Sequence, residues 1–200
     1  ITYGAYTPVG GSSPNKRAEK RYCEIACERL GATCRNYGVS GISISSTSYQ
    51  SPTGAISLRY SSMDAAADMV VIAGGTNDYG TGVALGTIAD TTDVSFYGAL
   101  HVLCSGLCEK YPGKRIVFLT PFHRSSEAAN KVGATLAQYK QAIYDVARDE
   151  FGFAVLDGWT VGLSPKNAKV KAEYIVDGVH PNPIGHELIG ASLARMLNAI

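Results

Sequence analysis

The chain predicts an α/β fold: a doubly wound, three-layer α/β/α arrangement around a five-stranded, mostly parallel sheet. Three observations carry that reading. Helical patterns alternate with short apolar runs, the order that a parallel sheet with crossover helices demands. Met69-Val70-Val71-Ile72-Ala73 is apolar without interruption, as in a strand covered on both faces. Glycines punctuate the joints, with Gly31, Gly74-Gly75, Gly113 and Gly152 each closing an apolar or periodic stretch.

Taken in order, Ser13-Pro14 reads as an N-cap and first-turn proline. The helix that follows has Ala18, Tyr22, Ile25, Ala26 and Leu30 on one face and Gly31 as its stop. The run from Lys16 to Arg21 would then be the wet face of that helix. Residues 33–40 can form a short strand ending at Gly41, the Ser/Thr-rich residues 42–53 read as loop, and a weaker helical stretch lies within 54–67. After the 69–73 strand, the positions Phe96, Ala99, Leu100, Leu103, Cys104, Leu107, Cys108 and Tyr111 keep helical period until Pro112-Gly113, and Ile116 to Thr120 form the next strand. Leu136, Tyr139, Ile143 and Val146 line another helix that stops at Gly152, followed by a strand at 153–156. Asn182-Pro183 caps the last helix, which carries Ile184, Leu188, Ile189, Met196 and Leu197.

A sheet of order 2-1-3-4-5 has its first strand in the middle, yet Ile1 leads through Tyr3-Gly4 directly toward the first helix. A central strand is therefore expected before Ile1, so that residues 1–200 form one domain that is incomplete at its N-terminus. Without that strand two ladder edges would stand open.

Composition narrows the function. At 200 residues, 46% hydrophobic and 18% charged, the chain has the size of one globular domain with a full core. A formal net charge of +1 and the lack of a long basic block exclude an electrostatic nucleic-acid or membrane-surface partner. No apolar stretch approaches the ~20 residues of a membrane span. Oligomeric state leaves no mark in the sequence. Five cysteines include the spacings Cys23-x3-Cys27 and Cys104-x3-Cys108, which fit neither a zinc ribbon nor a redox C-x-x-C motif, so they read as helix-face thiols and no metal is expected. The odd number favours a reducing, cytoplasmic compartment, while a start at Ile1 leaves a removed secretory leader open. No phosphate loop or dinucleotide fingerprint occurs, and no cofactor is expected.

Three short strings carry chemistry. Asp177-Gly178-Val179-His180 places a carboxylate three residues ahead of an imidazole, the pairing that orients a general base and stabilises its charged form. Alone it could be a solvated loop. Gly74-Gly75-Thr76-Asn77-Asp78 follows a buried strand at the edge where open α/β sheets bind ligands, and an Asn amide there can donate to a developing oxyanion. Alone it could be an ordinary turn, with Asp78 bonding the backbone. Gly41 ends a strand, where a bare N–H can approach a ligand.

Together and in this order, Gly38-Val39-Ser40-Gly41, Gly75-Thr76-Asn77-Asp78 and Asp177-Gly178-Val179-His180 resemble the second, third and fifth blocks of the GDSL/SGNH hydrolases, over almost the whole chain. The resemblance implies a serine esterase or acylhydrolase acting on small-acyl esters, such as acetylated carbohydrates or short lipid esters, with no cofactor. His180 would be the base, Asp177 its orienter, and Gly41 N–H, the Asn77 amide and the nucleophilic serine's own N–H the oxyanion donors. The family's first block ends in Gly-Asp-Ser; Ile1-Thr2-Tyr3-Gly4 looks like its sequel, which puts the expected nucleophile immediately before Ile1. If that residue is not serine, the alternative is a ligand-binding member of the same fold without catalysis. Thioester or peptide acyl transfer by the same machinery is a third reading. No G-x-S-x-G elbow occurs, which argues against an ordinary α/β-hydrolase. His123 and Tyr79 are candidate substrate contacts, each with a plain loop or packing role as the other reading, and His101 and His186 fall within helices as structural residues. The loops over 42–53 and 76–93 would shape the pocket.

Overall fold

The structure is a computed structural model and describes residues 1–47 and 54–200. In chain order its elements are β1 (Ala5–Tyr6), β2 (Lys16–Arg17), α1 (Tyr22–Leu30), α2 (Ile56–Arg59), β3 (Met69–Ala73), α3 (Thr76–Thr81), α4 (Phe96–Lys110), β4 (Arg115–Leu119), α5 (Leu136–Ile143), β5 (Ala154–Leu156), α6 (Ala168–Tyr174) and α7 (Pro183–Ala199). They fall into two compact units, one made of residues 41–121 and 127–156, the other of 1–40, 122–126 and 157–200.

The first of these holds the parallel sheet. Its order is β3-β4-β5, with Met69 opposite Arg115 and Val117 opposite Ala154. That is the order expected of the last three strands, and the strands fall within a residue of the apolar runs. Val117, Phe118 and Leu119 of β4 are fully buried, as the middle strand of the three should be. Helix α4 begins where the Ser95 side chain accepts the Gly98 N–H, and it buries Phe96, Ala99, Leu100, Leu103 and Leu107. Helix α5 has a reciprocal cap between Thr135 and Gln138 and packs Tyr139 edge-on against Phe96 at 4.9 Å. It widens into π turns over Tyr144–Glu150 before stopping at Gly152. The weak helical stretch within 54–67 is α2 and a 3₁₀ turn, Tyr60–Ser62. Of the expected 42–53 loop, residues 48–53 lie outside the described residues.

In the other unit α1 packs against α7. The contact is close because Gly190 faces it: a Cβ there would meet Ile25 Cγ2 at 2.7 Å and the Tyr22 carbonyl oxygen at 2.9 Å. Helix α7 starts as the sequence indicates, with the Asn182 side chain accepting the N–H groups of Ile184 and Gly185. Its buried stripe is His186, Ile189, Leu193 and Leu197, so Ile184 and Leu188, expected on the apolar face, lie on the exposed one.

Two expectations are corrected here. Residues 13–20 are not helical; Lys16–Arg17 pairs antiparallel with Ala5–Tyr6, and the ladder is extended by the Ala18 N–H donating to Gly4 O. The helix instead begins at Tyr22, because Glu24 reaches back to the Arg21 N–H at 2.9 Å and also pairs with the Arg21 guanidinium. That return bond is a stronger start signal than Ser13-Pro14, which has no such partner three residues on. The run from Lys16 to Arg21 is therefore no helix face. Residues 33–40 are not a strand, since none of the described strands ladders with them; Asn36 organises the stretch locally by accepting the Gly38 N–H and donating to Thr2 O. Among the described residues no helix is long and apolar enough to cross a membrane.

Candidate active site

Asp177 and His180 sit on one turn between α6 and α7. The turn is tight because Gly178 has φ +74°, and a Cβ on it would lie 1.8 Å from the Ser125 hydroxyl oxygen; only glycine fits. Ser125 in turn donates its N–H to Gly178 O at 3.0 Å, which fastens residues 122–126 onto this turn.

Within it the Asp177 carboxylate is fully engaged. Oδ1 accepts the main-chain N–H groups of Val179 at 2.9 Å and His180 at 2.8 Å. Oδ2 lies 2.8 Å from His180 Nδ1 and accepts the Thr7 hydroxyl at 2.8 Å. Burial opposes ionisation, yet the bonds from the His180 ring and backbone, Thr7 and Val179 outweigh it and hold this carboxyl well below the usual carboxylate range. A carboxylate only accepts, so the ring nitrogen that faces it carries a proton, and in the neutral ring that tautomer leaves the lone pair on Nε2. With 30% of its side chain exposed, His180 is reachable by a substrate.

His123 belongs to the same unit. Its ring stacks on Trp159 at 4.4 Å and 19°, and its loop is the one that Ser125 fastens to Gly178. Trp159 itself is set by a 3₁₀ turn capped by Asp157, whose Oδ1 accepts the Trp159 N–H at 2.8 Å.

Gly41, Asn77 and Tyr79 belong to the sheet-bearing unit. After β3 the chain turns at Gly75 (φ +95°) directly into α3. The Asn77 amide donates to Ile42 O at 2.7 Å, next to Gly41. Asp78, fully buried, accepts the N–H groups of Ile44 at 3.0 Å and Ser45 at 2.9 Å. The two side chains together hold residues 42–45 against the start of α3. Burial pushes the Asp78 carboxyl up to about 6 against the lowering effect of those N–H groups. Tyr79 is buried, donates its hydroxyl to Ala128 O at 2.8 Å and meets Tyr139 edge-on, a set of packing contacts.

The histidines within helices are engaged in the framework. His101 contacts Asp90 O and Glu150, and His186 accepts the Tyr22 N–H. Sequence reasoning passed over Thr7, Ser125 and Trp159. No local pattern marks them, because each meets its partner only through the fold.

Comparison with known proteins gives the arrangement a family. The model of the GDSL-like Lipase/Acylhydrolase family matches residues 1–188. The chain belongs to this family. A mouse protein named isoamyl acetate-hydrolyzing esterase 1 homolog is 31% identical over 99 residues, 44% of this chain and 38% of that protein, so the match spans about two fifths of the curated relative. A solved structure from Lactobacillus plantarum is 27% identical with a TM-score of 0.83, covering 98% of both chains. One described as a possible lipase from Chitinophaga pinensis shares the fold, at 20% identity and a TM-score of 0.72 over 91% of this chain and 89% of that one. The match to the GDSL-like family takes in the Asp177/His180 turn and the Gly75-to-Asp78 turn.

Proposed function

We propose that this GDSL-like protein hydrolyses carboxylic esters of small acyl groups through a Ser-His-Asp triad. The observation that carries the proposal is the two-point hold of Asp177 on His180, which leaves Nε2 as a base on a partly exposed ring. The nucleophile is assigned to a serine immediately before Ile1, since Ile1-Thr2-Tyr3-Gly4 matches the sequel to the family's Gly-Asp-Ser. Its Oγ attacks the ester carbonyl carbon while His180 Nε2 takes the hydroxyl proton. As the tetrahedral intermediate collapses, that proton passes to the leaving alkoxide, which departs as alcohol. Water then attacks the acyl-serine, giving a proton to His180; His180 returns it to the serine as the acid leaves.

The oxyanion donors are the Gly41 N–H and the Asn77 amide, which commits one N–H to Ile42 and offers the other. A small acyl group is favoured by the name of the mouse relative, an acetate esterase homolog. Acetylated carbohydrates and short lipid esters are the substrate classes.

The test is kinetic. Protein carrying Gly-Asp-Ser ahead of Ile1 should turn over nitrophenyl acetate and butyrate faster than the octanoate, and a fluorophosphonate should add to that serine. Asn77→Ala should lower kcat by about 10²–10³. Wild-type kcat in folded His180→Ala would overturn the assignment, and a preference for octanoate would overturn the small-acyl reading.

A further inference from the structure

We infer that Thr7 is a positioning residue for the esterase reaction, acting through Asp177 on His180. The inference rests on the triad proposed above and adds a residue to its support. Thr7 is 1% exposed, yet it is polar and sits in the loop that leaves β1. Burying a hydroxyl is costly unless it is paired, and its partner is the Asp177 Oδ2, 2.8 Å away. That is the same oxygen that faces His180 Nδ1. Because an ionised carboxylate can only accept, Thr7 is the donor and Oδ2 takes two donors at once.

Geometry gives the consequence. Oδ1 is held by the two main-chain N–H groups of the turn, whereas apart from Thr7 the only partner of Oδ2 among the described residues is the His180 ring that it has to orient. Thr7 gives Oδ2 a second donor that does not move with the ring, so the oxygen facing Nδ1 is held from outside the turn. Thr7 is anchored in its turn: Ala5–Tyr6 pairs with Lys16–Arg17 immediately before it. The chain segment that begins at Ile1 therefore aligns the orienter of the base from 170 residues away. A hydrogen bond to a charged group is worth enough that its loss from an aligned base should cost about tenfold in rate.

The experiment uses the Gly-Asp-Ser-bearing protein and nitrophenyl acetate. Thr7→Val, which keeps the shape and removes the hydroxyl, should lower kcat about tenfold with KM within twofold. Thr7→Ser, which keeps the hydroxyl, should retain kcat within about threefold. In an Asp177→Asn background, Thr7→Val should add nothing, because the partner through which it acts is already lost. A merely structural role would instead give additive losses. Unchanged kcat in folded Thr7→Val, loss of kcat in Thr7→Ser, or additivity with Asp177→Asn would each overturn the inference. Should Thr7→Val not fold, the serine variant and the cycle made with Thr7→Ala decide. The two failures are separable: wild-type kcat in Asp177→Asn and His180→Ala sinks the triad itself, whereas their loss beside an unaffected Thr7→Val sinks only the role of Thr7.

Discussion

Asp177 holds His180 twice, with Oδ2 2.8 Å from the ring Nδ1 and Oδ1 2.8 Å from the same residue's main-chain nitrogen. Peptide and ring are thereby locked to one carboxylate, and neither can turn without breaking a charge-assisted bond. Asp177→Asn cannot satisfy both sides, since the amide has one oxygen and one nitrogen where two acceptors are needed. Its kcat should fall by about 10³–10⁴, the scale of a lost or mis-tautomerised orienter in serine hydrolases, and steady-state kinetics on folded variant will check it.

The same carboxylate shapes acid stability. Its folded pKa lies below its unfolded value, so its contribution is fully present above the ordinary carboxylate range and is lost as pH falls toward the folded value. Asp177→Asn should therefore flatten the loss of stability below about pH 4, as read by urea unfolding at a series of pH values.

Gly178 is where the turn can be broken without touching either functional side chain. Gly178→Ala meets both the positive φ of +74° and the Ser125 hydroxyl at 1.8 Å. The cost should be about 2 kcal/mol or more, with kcat lowered because the Asp177 and His180 backbones shift together. Adding Ser125→Gly removes the clash but not the backbone strain. The double variant should accordingly recover part of the melting temperature and not all of it.

How far this was legible in the chain follows from the range of each interaction. The Asp177/His180 contact is a three-residue turn, so spacing alone brings the two together. Likewise the strand Met69–Ala73 and the Asn182-Pro183 helix start are local patterns. The 16–21 run misled because β2 owes its existence to pairing with Ala5–Tyr6, and pairing between distant segments has no periodicity to read. Ile184 and Leu188 misled for a related reason. Gly185 and Gly190 share the buried stripe of α7 with His186, Ile189, Leu193 and Leu197, because neighbouring chain comes close there, and Ile184 and Leu188 fall outside that stripe. Thr7 and the His123–Trp159 stack were out of reach for the same physical reason.

The thiols of α1 and its sequel should be sluggish. Burial, followed by the neighbouring thiols, pushes Cys27 and Cys34 up to about 11, and burial also raises Cys23. A rise of two units lowers the thiolate fraction about a hundredfold, while the stronger nucleophile recovers about tenfold of it. Alkylation of Cys27 and Cys34 by iodoacetamide at pH 7.5 should thus run about tenfold slower than for a free cysteine. Peptide mass spectrometry over time measures it, and equal rates would show that the sites open readily.

His186 makes a pH prediction of opposite sign to that of Asp78. Its Nδ1 accepts the Tyr22 N–H at 3.2 Å, a bond that requires the nitrogen to be unprotonated. Burial first, with Arg21 adding to it, holds its pKa below the ordinary imidazole range. Below about pH 6.5 the unfolded chain takes up a proton there that the folded chain refuses. The stability it represents is full above the unfolded value and falls on acidification. Asp78, pushed up to about 6, does the reverse: the folded state binds its proton first, so its contribution rises as pH falls from 6 toward 4. In the wild type the two slopes oppose each other. In His186→Gln only that of Asp78 remains, and although the variant should be less stable at pH 7.5, its stability should increase on going from pH 7 to pH 5. Urea unfolding at the two pH values decides it; a wild-type slope in the variant would mean that His186 is protonated in the folded state.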